Sequence, residues 1–219
     1  SFDGQQYFSE RHIGLVGDRF SKADVIARLK GTRTIGHVRY ATAGGAVLRN
    51  VQPLFAEFAG GGFSVAHNGN LTNARKLQAQ LRERASIFQS TSDTETLIDG
   101  MTGKEPPGIL IGVWDPLGVR PLVLGELEGA YVLASETCAL DIIGADFVRD
   151  IEPGEMVVIT ESGVARHFPF EQQPSRFCVF EYVYFARPDS MVEGRNVYAV
   201  RKHIGAELAR EDPARVDLV

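Results

Sequence analysis

The chain has 219 residues, 44% of them hydrophobic, enough for one sizeable domain or for one domain and the start of another. Its net charge of −5, with acidic and basic residues interspersed, gives no electrostatic footprint for nucleic acid and no polybasic segment for a membrane surface. No apolar run approaches the roughly 18 to 20 residues that span a bilayer, and the opening SFDGQQYF lacks both regions of a signal peptide, so a cytoplasmic protein acting on small molecules is expected.

In chain order, Asp3-Gly4 is a turn signal between two short apolar stretches, so the chain opens on a hairpin. Ser21 is placed to cap a helix that carries Val25, Ile26 and Leu29 on one stripe and stops at Gly31. Strands are expected over 35–40 and 63–66, on either side of a glycine-rich loop. A helix over 72–84 puts Ala74, Leu77 and Leu81 on one face. GILIGV, RPLVLGEL, AYVLASE and EMVVIT are then β-rich runs separated by turn signals, the pattern of an antiparallel sheet. The last helix begins near Asn196, carries Val197, Val200, Ile204 and Leu208 on one stripe, and ends before Pro213. The closing RVDLV reads as the first half of a buried strand. Cys138 and Cys178 are too few and too isolated for a disulfide framework or a thiolate metal site, and read as buried thiols.

Three segments carry chemistry: GHVRYATAG at 36–44, HNGN at 67–70 and SDTE at 92–95. Two of them have ordinary structural readings. Asn-Gly is the commonest hairpin dipeptide, and SDTE is a capping box, with Ser92 as cap and Glu95 three residues on. Arg39 is harder to dismiss, because a guanidinium in an apolar strand needs an anion or carbonyl partner. Together, an arginine, an Asn-Gly pair and a carboxylate at a helix start are what an amino-acid amide substrate requires.

The order and wording of these segments resemble the class II glutamine amidotransferases, which are N-terminal nucleophile hydrolases. RYATAG and HNGN are similar to the amidophosphoribosyltransferase version. GVWDPLGVRPLVLGEL, YVLASETCALDIIGADFVRDIEPGEMVVI and CVFEYVYFARPDS extend the similarity over nearly the whole chain. The resemblance implies an α+β fold, a four-layer αββα sandwich of two stacked antiparallel sheets, which the alternating strands and early helices support independently. It implies a glutaminase domain over 1–175, incomplete at its N-terminus and near 98–108. Residues 176–219 would be an interdomain segment and the start of a phosphoribosyltransferase domain.

Carried onto matching positions, the resemblance gives Arg39 to the α-carboxylate of glutamine and Asp93 to its α-ammonium. Asn68 and the backbone N–H of Gly69 correspond to the oxyanion hole, and Thr42 to the loop that closes over the substrate. Tyr40, Phe180 and Tyr184 match positions lining an ammonia path, although ordinary core aromatics is an equally good reading. The family's nucleophile is an N-terminal cysteine whose α-amine is the base. Residue 1 here is serine, and SFDGQQYF matches a hairpin well downstream of that cysteine, so Ser1 is not the expected nucleophile and residues 1–219 alone are expected to be inactive. Two further departures stand out. Between 98 and 108 the family has a longer helical stretch and another strand, and Trp114 stands where it usually has arginine.

In the complete family enzyme, ammonia released from glutamine displaces pyrophosphate from phosphoribosyl pyrophosphate, with Mg2+ on the pyrophosphate in the phosphoribosyltransferase domain. Some members carry an iron–sulfur cluster, and Cys178 falls at one ligand position. One thiolate cannot hold a cluster and the remaining ligands would lie beyond residue 219, so the resemblance leaves a cluster open for the full-length protein while these residues do not predict one. Glutamine and phosphoribosyl pyrophosphate are therefore the expected partners, with a homo-oligomeric assembly. Two other readings are a non-catalytic glutamine-binding fragment and another class II enzyme, such as glucosamine-6-phosphate synthase. RYATAG, HNGN and FEYVYFARPDS argue against the latter.

Overall fold

Asp3 turns the chain as soon as it begins: its Oδ1 accepts from the N–H groups of Gln5 and Gln6 at 2.8 and 2.9 Å, and Phe2 bridges Tyr7 antiparallel. The computed structural model describes residues 1–39, 45–58, 61–99 and 108–212. Its chain divides into two units, Ser1–Leu110 and Ile111–Val219.

In the first unit the single expected early helix is two short ones, α1 (Val16–Phe20) and α2 (Ala23–Arg28). Ser21 does not cap the second. It ends the first, its hydroxyl donating to the Gly17 carbonyl at 2.5 Å. Val25 is fully buried while Ile26 is exposed, so one residue rather than a stripe anchors α2. Gly31 does stop the helical stretch, with φ of 131°. A Cβ there would lie 2.3 Å from the Phe2 carbonyl oxygen, which accepts from Thr32 N–H at 3.1 Å, so no side chain fits beneath the opening hairpin.

Residues 34–39 form no strand, contrary to expectation, and Tyr40 lies outside the described residues. The β-pairing of this unit is instead a hairpin of β1 (Leu54–Phe58) and β2 (Gly61–Val65). Helix α3 (Ala74–Glu83) half-buries Ala74, Leu77 and Leu81, the expected face. A five-residue helix, α4 (Glu95–Asp99), follows the SDTE segment.

The second unit contains β3 (Leu110–Val113), β4 (Val123–Leu127), β5 (Ala130–Ala134), α5 (Thr137–Ile143), β6 (Asp146–Asp150), β7 (Met156–Thr160) and β8 (Gly163–His167). They form two three-stranded sheets, ordered β3-β7-β8 and β5-β4-β6. The four expected runs are all strands, and the added ones are β6 and β8. The sheets pack face to face through Leu124 of one and Val157 of the other, with Trp114, Ile151 and the flanking Tyr131, Leu133, Ile159 and Val164. Because successive strand residues point to opposite faces, Val123 turns away from that core to meet Leu140 and Ala145 of the α5 region. A Cβ on Gly125 would lie 2.7 Å from Leu140 Cδ2, so the bare backbone there lets α5 approach. The α+β class with stacked antiparallel sheets therefore holds.

Trp114 is buried in this core, and its indole Nε1 makes no hydrogen bond among the described residues. The turn after it needs no arginine: Asp115 accepts from Leu117 and Val119 N–H through its two oxygens, both at 2.9 Å. Beyond β8, a π-helical turn (Glu181–Phe185) is closed by Ala186 N–H donating to the Glu181 carbonyl at 3.0 Å. Strands β9 (Met191–Val192) and β10 (Arg195–Asn196) lead to α6 (Val197–Glu211). Asn196 caps that helix, accepting from Ala199 N–H at 3.0 Å. Only Val197 of its predicted stripe is fully buried; Ile204 and Leu208 are exposed. The RVDLV segment lies outside the described residues.

Candidate functional site

The HNGN segment leaves β2 as a turn whose two ends are both held. At its start, His67 N–H donates to Oε1 of Gln52 at 2.6 Å. Just past its end, Leu71 N–H donates to Oδ2 of Asp93 at 2.7 Å. Between these anchors Asn68 is exposed, its side chain making no hydrogen bond among the described residues. Gly69 has φ of 134°, a conformation that L side chains rarely adopt, so the turn demands glycine there. The backbone of the turn is thus held at both ends, and among the described residues neither the Asn68 amide nor the Gly69 N–H is consumed by the fold.

Asp93 is 9% exposed and spends one carboxylate oxygen on Leu71; among the described residues the other accepts no hydrogen bond. The expected capping box is not built. Glu95 reaches past Ser92 to accept from Gln89 and Ser90 N–H, both at 2.8 Å, and the Ser92 hydroxyl donates to Thr94 Oγ1 at 3.1 Å. The helix starts at Glu95, which leaves Asp93 in the turn before it rather than in its first turn.

Arg39 is half-buried, and its Nη1 donates to the Gly45 carbonyl at 3.5 Å. With His37 and Gln52 it borders a cleft of about 160 Å³ whose other walls include Glu10 and His12. Burial, and then the nearby charges of His67 and Arg39, pushes the His37 imidazole below its ordinary value. Asn68, Gly69 and Asp93 are not among the residues lining that cleft. Thr42 and Tyr40 lie outside the described residues. Phe180 and Tyr184 sit on the π-helical turn of the second unit, 54% and 68% exposed.

Sequence reasoning missed two side chains, Asn50 and Gln52. Asn50 is fully buried: its amide donates to the Gly45 carbonyl at 2.9 Å and to Thr91 Oγ1 at 2.8 Å, and its carbonyl accepts from Thr91 N–H at 2.9 Å. Gln52, 6% exposed, donates to Thr94 Oγ1 at 3.1 Å besides accepting from His67. Two amides alternating around Val51 ahead of a proline were the available signal, and it is a weak one.

Ser1 is engaged elsewhere, its hydroxyl donating to the Lys30 carbonyl at 2.7 Å and its ammonium to the Phe8 carbonyl at 2.8 Å. Among the described residues no group of three or more His, Cys, Asp or Glu side chains could hold a metal ion. Cys138 is buried and Cys178 half-buried, both as free thiols. These two thiols by themselves are fewer than the four cysteines that hold an iron–sulfur cluster. No helix among the described residues is long and apolar enough to cross a membrane.

Residues 37–111, which take in Arg39, Asn68, Gly69 and Asp93, match the glutamine amidotransferase domain family. Over its full length the chain is 47% identical to the amidophosphoribosyltransferase of Rhizobium etli, and over 99% of its length 40% identical to that of Bacillus subtilis. A solved structure described as the allosteric regulatory enzyme of purine biosynthesis matches 93% of the chain with a TM-score of 0.84 at 40% identity. The Bacillus subtilis glutamine phosphoribosylpyrophosphate amidotransferase, complexed with ADP and GMP, matches 88% with a TM-score of 0.79, also at 40% identity.

Over its whole length the chain is thus similar to amidophosphoribosyltransferases. It spans about half the length of the relatives it matches: 50% and 51% of the two sequences, 49% and 47% of the two structures. The match to the Rhizobium protein runs over 248 positions against 219 residues here, a difference of 29, in keeping with an internal segment that relatives have and this chain lacks.

Proposed function

We infer that the full-length protein hydrolyses glutamine at this site and passes the ammonia to phosphoribosyl pyrophosphate, making 5-phosphoribosylamine in the first step of de novo purine synthesis. The observation that carries this reading is the HNGN turn held beside Asp93, with the Asn68 amide and a left-handed Gly69 between its anchors. Attack on the glutamine amide carbon moves charge onto the carbonyl oxygen, and donors fixed in advance are worth on the order of 3 kcal/mol each to such a transition state. Asn68 and the Gly69 N–H take that role. The unshared oxygen of Asp93 receives the α-ammonium, and the Arg39 fork receives the α-carboxylate. The nucleophile of the full-length protein is a cysteine at its mature N-terminus, whose α-amine takes the thiol proton.

The rest of the assignment concerns the longer protein. Residues 1–175 form the glutaminase part and 176–219 lead into the phosphoribosyltransferase part, where Mg2+ would sit on the pyrophosphate. Phe180 and Tyr184 are assigned to the ammonia path. The protein works in the cytoplasm as a homo-oligomer.

The test uses the full-length enzyme. Arg39→Ala is expected to raise the glutamine requirement by about 10- to 100-fold, the cost of losing a charge-assisted pair, while turnover with free ammonia survives. Equal loss of both activities would refute the assignment.

A further inference from the structure

The hydrogen bonds of Gln52 join two segments that the proposed chemistry must hold in register. Its side-chain carbonyl takes the N–H of His67, the residue before the proposed oxyanion donor Asn68. Its amide N–H2 goes to Thr94, the residue after the proposed ammonium ligand Asp93. Asp93 closes the other end of the same turn through Leu71. The turn is therefore clamped twice from one segment, once by Asp93 itself and once through Gln52 and Thr94. Everything on the Gln52 side is buried: Gln52 is 6% exposed, Thr94 fully buried, and Ser92, whose hydroxyl donates on to Thr94, 1% exposed.

An amide suits this place because it must accept from a backbone N–H at one atom and donate to a hydroxyl at the other, and both partners fix its orientation. With both ends held, the distance from the oxyanion donors to the Asp93 carboxylate is set partly by Asp93 itself and partly by the linkage through Gln52 and Thr94.

We propose that Gln52, acting through Thr94, is a positioning residue for the glutamine reaction: it sets the oxyanion turn at a fixed distance from Asp93. The proposal rests on the functional reading above. It is tested in the full-length enzyme with Gln52→Met, which keeps length and burial but removes both bonds, and Thr94→Val, which removes the acceptor and leaves Gln52 in place.

Each variant should lower kcat with glutamine by about 10- to 100-fold, the scale of misplacing one oxyanion donor. KM for glutamine should move less than threefold, and turnover with free ammonia less than twofold. Thr94→Ser, which restores the hydroxyl, should return kcat to within about threefold of wild type. The double variant should be no worse than Gln52→Met alone, because both changes break one linkage.

Retention of wild-type kcat by Gln52→Met would overturn the proposal. So would equal loss of glutamine and ammonia turnover, or simple multiplication of the two single effects. A wild-type enzyme that consumes no glutamine would instead overturn the functional reading on which it rests.

Discussion

Replacing Glu155 by glutamine tests the energetics of the second unit more sharply than any core truncation. Glu155 is fully buried, yet all its acceptor capacity is used: Arg149 binds both oxygens at 2.7 and 2.9 Å, Arg166 Nε binds one at 2.7 Å, and Glu152 N–H donates at 2.8 Å. Burial by itself would push this carboxyl up. Arg149, the Glu152 N–H and Arg166 together outweigh it and bring the group from its ordinary 4.5 down to about 2. A shift of that size corresponds to about 3 kcal/mol of linkage.

Because the folded-state value is depressed, that stabilisation is fully present above the unfolded value of 4.5 and is lost as pH falls toward about 2. Glu155→Gln should therefore cost about 3 kcal/mol at neutral pH, the low end for a broken buried pair. Both arginines are partly exposed, at 27% and 44%, and can turn to water. Urea unfolding followed by the fluorescence of Trp114, the sole tryptophan of residues 1–219 and a core neighbour of Ile151 and Val157, reads the right unit. The variant should also lose part of the acid dependence of stability. A cost below about 1 kcal/mol, or parallel acid profiles for the two proteins, would refute the account.

Two further outcomes are expected. Gly31→Ala forces a Cβ to 2.3 Å from the Phe2 carbonyl at a φ of 131°, so it should destabilise the first unit by about 1 to 3 kcal/mol, read as a lower thermal midpoint; an unchanged midpoint would count against the close approach. Tyr182→Phe removes a buried hydroxyl that donates to the Val192 carbonyl at 2.7 Å, which should cost about 1 kcal/mol and be visible as faster amide exchange around β9 and the π-helical turn.

Local rules wrote the elements that need few distant partners. Asp3-Gly4 makes its turn wherever it is placed, Asn196 caps the last helix through its own side chain, and the four β-rich runs became strands because each carries enough apolar residues for a buried face. Patterns that depended on packing failed. Of the early helix's stripe only Val25 is fully buried, and residues 35–39 form no strand. The capping box at SDTE dissolved because Glu95 had better donors at Gln89 and Ser90. Propensity does not choose among such partners.

The site divides in the same way. Its chemical inventory, Arg39, Asn68, Gly69 and Asp93, was legible in residue type and order, because amide chemistry needs a guanidinium, an oxyanion donor pair and a carboxylate. What holds the donors to the carboxylate was not legible. Asn50 and Gln52 carry no motif of their own, and their meaning lies wholly in the atoms they reach, at Gly45, Thr91, His67 and Thr94. A sequence determines which groups are available for a reaction. The distances between them are set by buried hydrogen bonds that close only when segments far apart in the chain meet.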